Sequence, residues 1–112
     1  MAPDDTAIEA NNNEIVIEQM IQEKGLNAPR LKPADIDACI VKEDYYIFPG
    51  TTTTICMLTL ANGWSTIGKS AAVSLDNFDE AIGRKIAKDN ARSEIWILEG
   101  YLLKQQQYKK AE

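Results

Sequence analysis

The sequence predicts an α+β fold: an N-terminal helix, a three-stranded antiparallel meander and a long C-terminal helix. Three observations carry that reading. A proline-free stretch, Leu75 to Tyr108, keeps apolar residues at helical spacings along its whole length. The middle of the chain, from Ile40 to Ile67, is rich in β-branched and aromatic residues. Asn62-Gly63 falls between two such runs, where a tight hairpin turn belongs.

Taken in order, residues 1–5 read as a frayed end and 6–31 as a helix with a linker. Ile8, Ile15, Val16, Ile17, Met20 and Ile21 give the helix its apolar content, and Gly25 ends it after Lys24. Asn11-Asn12-Asn13 is a poor helix interior, so Asn13 is an alternative start, acting as the cap. Residues 33–73 read as a short helix followed by the sheet. Pro33 suits the first position of a helix ending near Cys39, and Lys32 before it is expected to be extended. Strand character follows at Ile40-Val41 and at Tyr45 to Phe48, then from Thr51 to Leu60, then from Trp64 to Ile67. In the second strand Thr52, Thr54, Cys56, Leu58 and Leu60 share one side, while Thr53, Ile55, Met57 and Thr59 share the other, so both sides are expected to be at least half buried. Gly68 to Ser74 reads as the lead into the long helix.

That helix is predicted over residues 75–108, with Ser74 as its cap, and would reach roughly 50 Å. Acidic Asp76, Asp79 and Glu80 stand near its start and Lys104, Lys109 and Lys110 near its end, as the helix dipole favours. Leu75, Phe78, Ile82 and Ile86 share one face, and Ala91, Ile95, Leu98 and Leu102 another. Trp96, Ile97, Tyr101 and Leu103 widen the second half to nearly all sides, so more than one partner is needed to cover it. Gly83 and Gly100 each cost about 1 kcal/mol in a helix interior, and close backbone packing is the expected return. A rod of this length and a sheet with exposed edges both point to a homo-oligomer, a dimer or higher.

The 112 residues suit one domain, and no apolar run approaches a membrane span. No basic-then-apolar signal opens the chain, so a soluble cytoplasmic protein is expected. Residues 1–44 carry ten acidic and four basic side chains, whereas 45–112 carry seven and eight. Such an acidic front argues against duplex nucleic acid as a partner, but leaves room for a small anion held by a few cations. Histidine is absent and the two cysteines, Cys39 and Cys56, are far apart, which leaves no His-based nucleophile pair and too few ligands for a structural metal. No catalytic residue, metal ligand or cofactor is predicted, and the chain reads as a non-enzyme.

The candidate binding residues lie mostly on the long helix. Arg84, Lys88 and Arg92 repeat every four residues and point the same way, with Asn90 between them able to read a base edge or hydroxyl. The competing reading is a solvated face whose cations pair with Asp89 or Glu99. Elsewhere, Gly50 lets backbone approach a guest at the loop from Phe48 to Thr51, and Phe48 or Trp64 offers a ring for stacking. Gly68-Lys69-Ser70 imitates the end of a phosphate loop, but no glycine stands five residues earlier.

Several blocks are recognisable together: Tyr45 to Cys56, Asn62-Gly63, Asn77-Phe78-Asp79, Ile82 to Ala87, Asp89 to Arg92, Ile95-Trp96 and Leu98 to Leu103. Through them the chain, over about residues 33 to 103, resembles the small phage protein family named after gene 49 of phage N4 and gene 66 of phage Sf6. It is also similar to phage anti-defence proteins of the Thoeris type. The resemblance implies an oligomeric sponge, acting in the cytoplasm of the infected host, that binds a cyclic ADP-ribose isomer or cyclic oligonucleotide without cleaving it. The alternative is a protein–protein inhibitor of a host factor through the acidic N-terminal half.

Overall fold

The computed structural model describes residues 4–111, with side chains from Asn13 onward. Of the expected frayed end, residues 1–3 lie outside what is described, as does the apolar role of Ile8, while Asp4 and Asp5 are helical rather than frayed. Helix α1 (Asp4–Glu23) leads through a linker to the short helix α2 (Pro33–Cys39). Strands β1 (Ile40–Ile47), β2 (Thr54–Leu60) and β3 (Ser65–Ser70) follow, then one 3-10 turn (Leu75–Asn77) and helix α3 (Glu80–Ala111). The strands pair antiparallel in the order β1-β2-β3, so the meander is as predicted.

Local chemistry sets several boundaries. Gly25, at φ 65°, closes α1: its N–H donates to the Gln22 carbonyl, and the Leu26 N–H donates to that of Ile21. α1 runs straight through the three asparagines rather than starting at Asn13. Pro33 opens α2, and the extended Lys32 before it donates its N–H to Asp35 Oδ2 at 2.9 Å. β1 is continuous, with an irregularity between Ile40 and Lys42 where the sequence suggests two pieces.

α3 starts later than its sequence suggests. Ser74 precedes only the 3-10 turn, and Phe78 is extended at φ −77° and ψ 125°. Asp79 is the working cap, its Oδ1 accepting from the Ile82 N–H at 3.0 Å. The Phe78 ring lies beside Gly83, where an added Cβ would come within 3.4 Å of Cε1.

The core lies between α3 and one face of the sheet. Thr54, Cys56, Leu58 and Leu60 of β2, one of the two sides that alternation separates, are buried together with Thr66 and Gly68 of β3. Ile36 of α2 joins them. From α3 come Gly83, Ala87, Ala91 and Ile95, one residue per turn. Ala91 and Ile95 lie on the predicted stripe, whereas Leu75, Phe78, Ile82 and Ile86 stay outside the fully buried set. The reason is distance. A Cβ on Gly68 would fall 2.1 Å from the Ala87 carbonyl oxygen and 2.3 Å from the Ala91 nitrogen. Helix and strand backbones touch there, so only small residues fit. A Cβ on Gly83 would fall 2.9 Å from Thr54 Oγ1, so the close packing expected there is present, whereas one on Gly100 would meet only Leu31 Cδ1 at 4.0 Å; the tightest approach is at Gly68, which was not expected. The outer face of β2 carries Ile55, Met57 and Thr59, each half-buried with no second layer over them among the described residues.

Candidate functional site

The cations of α3 meet a different neighbour at each turn. Arg84 pairs with Glu80 at 2.8 Å and lies 5.3 Å above the centre of the Tyr45 ring. Lys88 donates to Glu43 Oε2 of β1 at 2.8 Å. Arg92 donates from Nε to Asp37 Oδ1 of α2 at 2.8 Å, from Nη1 to Glu14 of α1, and from Nη2 to the Pro33 carbonyl at 3.2 Å. The fourfold spacing does align the three, but Lys88 and Arg92 are stitched to other elements of the same chain, while Arg84 forms its ion pair within α3. The carboxylates come from Glu80, Glu43, Asp37 and Glu14, not from Asp89 or Glu99 as the competing sequence reading supposed.

Electrostatics agree with the stitching. Burial works against the charge of Arg92, but Asp37 and then Glu14 more than offset it, so its pKa moves up. The ammonium of Lys88 holds the Glu43 carboxyl below its ordinary range, assisted by the Tyr45 hydroxyl. Burial, and then its hydrogen bond to Glu43, pushes the Tyr45 phenol well above its ordinary value. A second polar tie holds the end of α1 to the linker: Arg30 clasps both oxygens of Glu18, Nη1 to Oε1 at 2.8 Å.

A cleft of about 400 Å³ opens among these elements, lined by Glu14, Asp37, Lys85, Lys88, Asp89, Arg92, Ser93 and Trp96. Of the predicted residues it gathers Lys88 and Arg92. Asn90 does not line it; its Nδ2 donates to the Lys69 carbonyl of edge strand β3 at 2.8 Å, satisfying one group of that free edge. Phe48 stacks edge-on against Tyr46 with ring centres 4.8 Å apart. Thr51 serves its turn, its hydroxyl donating to the Phe48 carbonyl at 2.7 Å. Trp64 follows the β2–β3 hairpin turn, at the other end of the sheet from Phe48 and Thr51, and is 64% exposed. Thus the two proposed stacking rings do not converge with the cations.

Lys85 and Trp96 also line the cleft, although neither was among the predicted binding residues. Their signal was present: Lys85, Lys88, Arg92 and Trp96 sit three, four and four residues apart, one row of a helix. Glu14 and Asp37 had no such signal, being 78 and 55 residues from Arg92. The three cations differ in availability. Lys85 lies 3.5 Å from Asp89 and Lys88 2.8 Å from Glu43; each is half-buried and held by a single carboxylate. The Arg92 side chain is only 13% exposed with its donors engaged on two helices, so it acts first as a clamp.

Fold and cleft together define a small α+β protein with a mixed-charge cleft on a helix-backed meander. Residues 31–107 match the Phage protein (N4 Gp49/phage Sf6 gene 66) family, and the chain belongs to it. No curated protein and no solved structure matches the chain. Among the described residues no helix is long and apolar enough to cross a membrane.

Proposed function

We propose that this phage-family protein is a non-catalytic binder that sequesters a small cyclic nucleotide signal of host defence, a cyclic ADP-ribose isomer or a cyclic oligonucleotide. One observation carries the reading: Lys85, Lys88 and the Trp96 indole share the wall of the cleft. Two ammonium groups suit phosphate, and an indole suits a purine face. Arg92 keeps the walls together and adds charge from behind. The cleft volume is in the range of small-molecule sites. Sequestration needs affinity and no turnover, so a chain without histidine is adequate to it.

The test is native mass spectrometry of the full chain against a panel of cyclic ADP-ribose isomers and cyclic di- and trinucleotides. The protein is expected to gain the intact mass of one such compound. The Lys85→Ala/Lys88→Ala double variant should bind it about tenfold or more weakly, while Arg84→Ala, outside the cleft, retains binding. Uptake of none of the panel, or equal affinity in the double variant, overturns this site. The second reading, inhibition of a host protein through the acidic N-terminal half, is favoured by one fact: Lys85, Lys88 and Arg92 each already have a carboxylate partner.

A further inference from the structure

Two flanks of the protein remain apolar and uncovered with the chain's own elements in place. On α1, Ile15, Val16, Ile17 and Met20 are each 50–57% exposed, while Glu14, Glu18 and Ile21 turn inward. On α3, the part beyond Trp96 exposes Ile97, Leu98, Tyr101 and Leu102 at spacings of one, three and one, a single flank of the helix. Neither is an isolated surface residue. Each flank gathers four large side chains, the kind of contiguous patch that marks an interface.

The charges around the two flanks are opposite. α1 contains no basic residue, and besides Glu14 and Glu18, which pair with Arg92 and Arg30 of the same chain, it contains Asp4, Asp5, Glu9 and Glu23. After Glu99, α3 contains Lys104, Lys109 and Lys110 and no acidic residue. The acidic α1 disfavours an anionic membrane surface as its cover. It complements the basic end of α3 instead. We propose that α1 of one copy packs on the free part of α3 of a second copy, and that a two-fold axis repeats the contact. A symmetric pair uses both flanks of both molecules and leaves neither uncovered. The contact is independent of what the cleft binds.

The experiment is sedimentation of the full chain with three single variants. The wild type is expected at an even multiple of 12.5 kDa. Val16→Asp on α1 and Tyr101→Asp on α3 should each shift it to 12.5 kDa with unchanged helix content. Ile67→Asp, on the outer face of the sheet, should leave the assembly intact. Because a charge in an apolar flank can harm folding, a second measurement uses exposed lysines only. Lys104→Glu/Lys109→Glu/Lys110→Glu should weaken association about tenfold or more, and mixed Met20→Cys and Leu102→Cys chains should cross-link to each other under oxidation. A wild type that stays at 12.5 kDa overturns the proposal and leaves the flanks to a different protein. So does loss of assembly in Ile67→Asp alone, or Met20→Cys chains that cross-link only among themselves.

Discussion

The two halves of α3 obey opposite rules. From Glu80 to Trp96 the fully buried residues are Gly83, Ala87, Ala91 and Ile95, three of them small. From Ile97 onward the residues are larger, and Ile97 and Tyr101 are more than 70% exposed. Burial along this helix therefore follows distance from the sheet, not bulk. Where the backbones touch at Gly68, size is excluded. Where the helix runs past the sheet, size is abundant and unused within one chain.

The largest test of that contrast is Gly68→Ala. Its added Cβ would meet backbone atoms of Ala87 and Ala91, which cannot rotate aside, so α3 must lift from β3. A loss of about 3 kcal/mol or more is expected in urea unfolding, with a full-size protein failing to reach native midpoint. A midpoint within error of wild type would mean that the helix does not sit this close. On the free half, Gly100→Ala should act in the other direction. Its nearest neighbour stands at 4.0 Å, so the alanine gains helix propensity of about 1 kcal/mol and raises the melting temperature by roughly 4 °C. A drop in melting temperature would reveal a contact at Gly100 beyond Leu31. The smallest effect is acid-linked and concerns α1. The Arg30 hydrogen bond, and then that of Gln22, pushes the Glu18 carboxyl down to about 2, below its ordinary value of 4.5. That tie contributes above pH 4.5 and is lost as pH falls towards about 2, so amide exchange near the end of α1 should quicken across this window. Glu18→Gln should flatten the response, and an unchanged profile would discount the pair.

The parts that were legible in the sequence are those decided within a few residues. Gly25 ends a helix because its backbone reaches φ 65°, and Pro33 opens one because its ring presets the first helical position. The two sides of β2 followed from alternation alone, as did their both being at least half buried; which side is fully buried did not. What could not be read depends on contacts between distant residues. Asp79 replaces Ser74 as the cap because the chain is extended at Phe78, a break in the helix that propensity does not register. Gly68 looked like part of a connecting segment, since a glycine in a strand says nothing of what approaches it. The ladder of Arg84, Lys88 and Arg92 was visible as a spacing. Whether its charges were free for a ligand depended on Glu14, Asp37 and Glu43, which arrive from three other elements. Trp96 was readable as part of the same row, but among apolar neighbours it read as part of the surface that widens the second half of the helix.

The bare spot at Gly68 also makes α3 a gauge for the hairpin that precedes it. Were β3 to pair with β2 one step out of place, Ile67 or Lys69 would occupy the position opposite Cys56, and neither leaves room for the helix backbone. Docking of α3 thus admits a single alignment and rejects its neighbours by steric contact. Proofreading of strand alignment in this protein falls to a helix, and is completed only when the last third of the chain arrives.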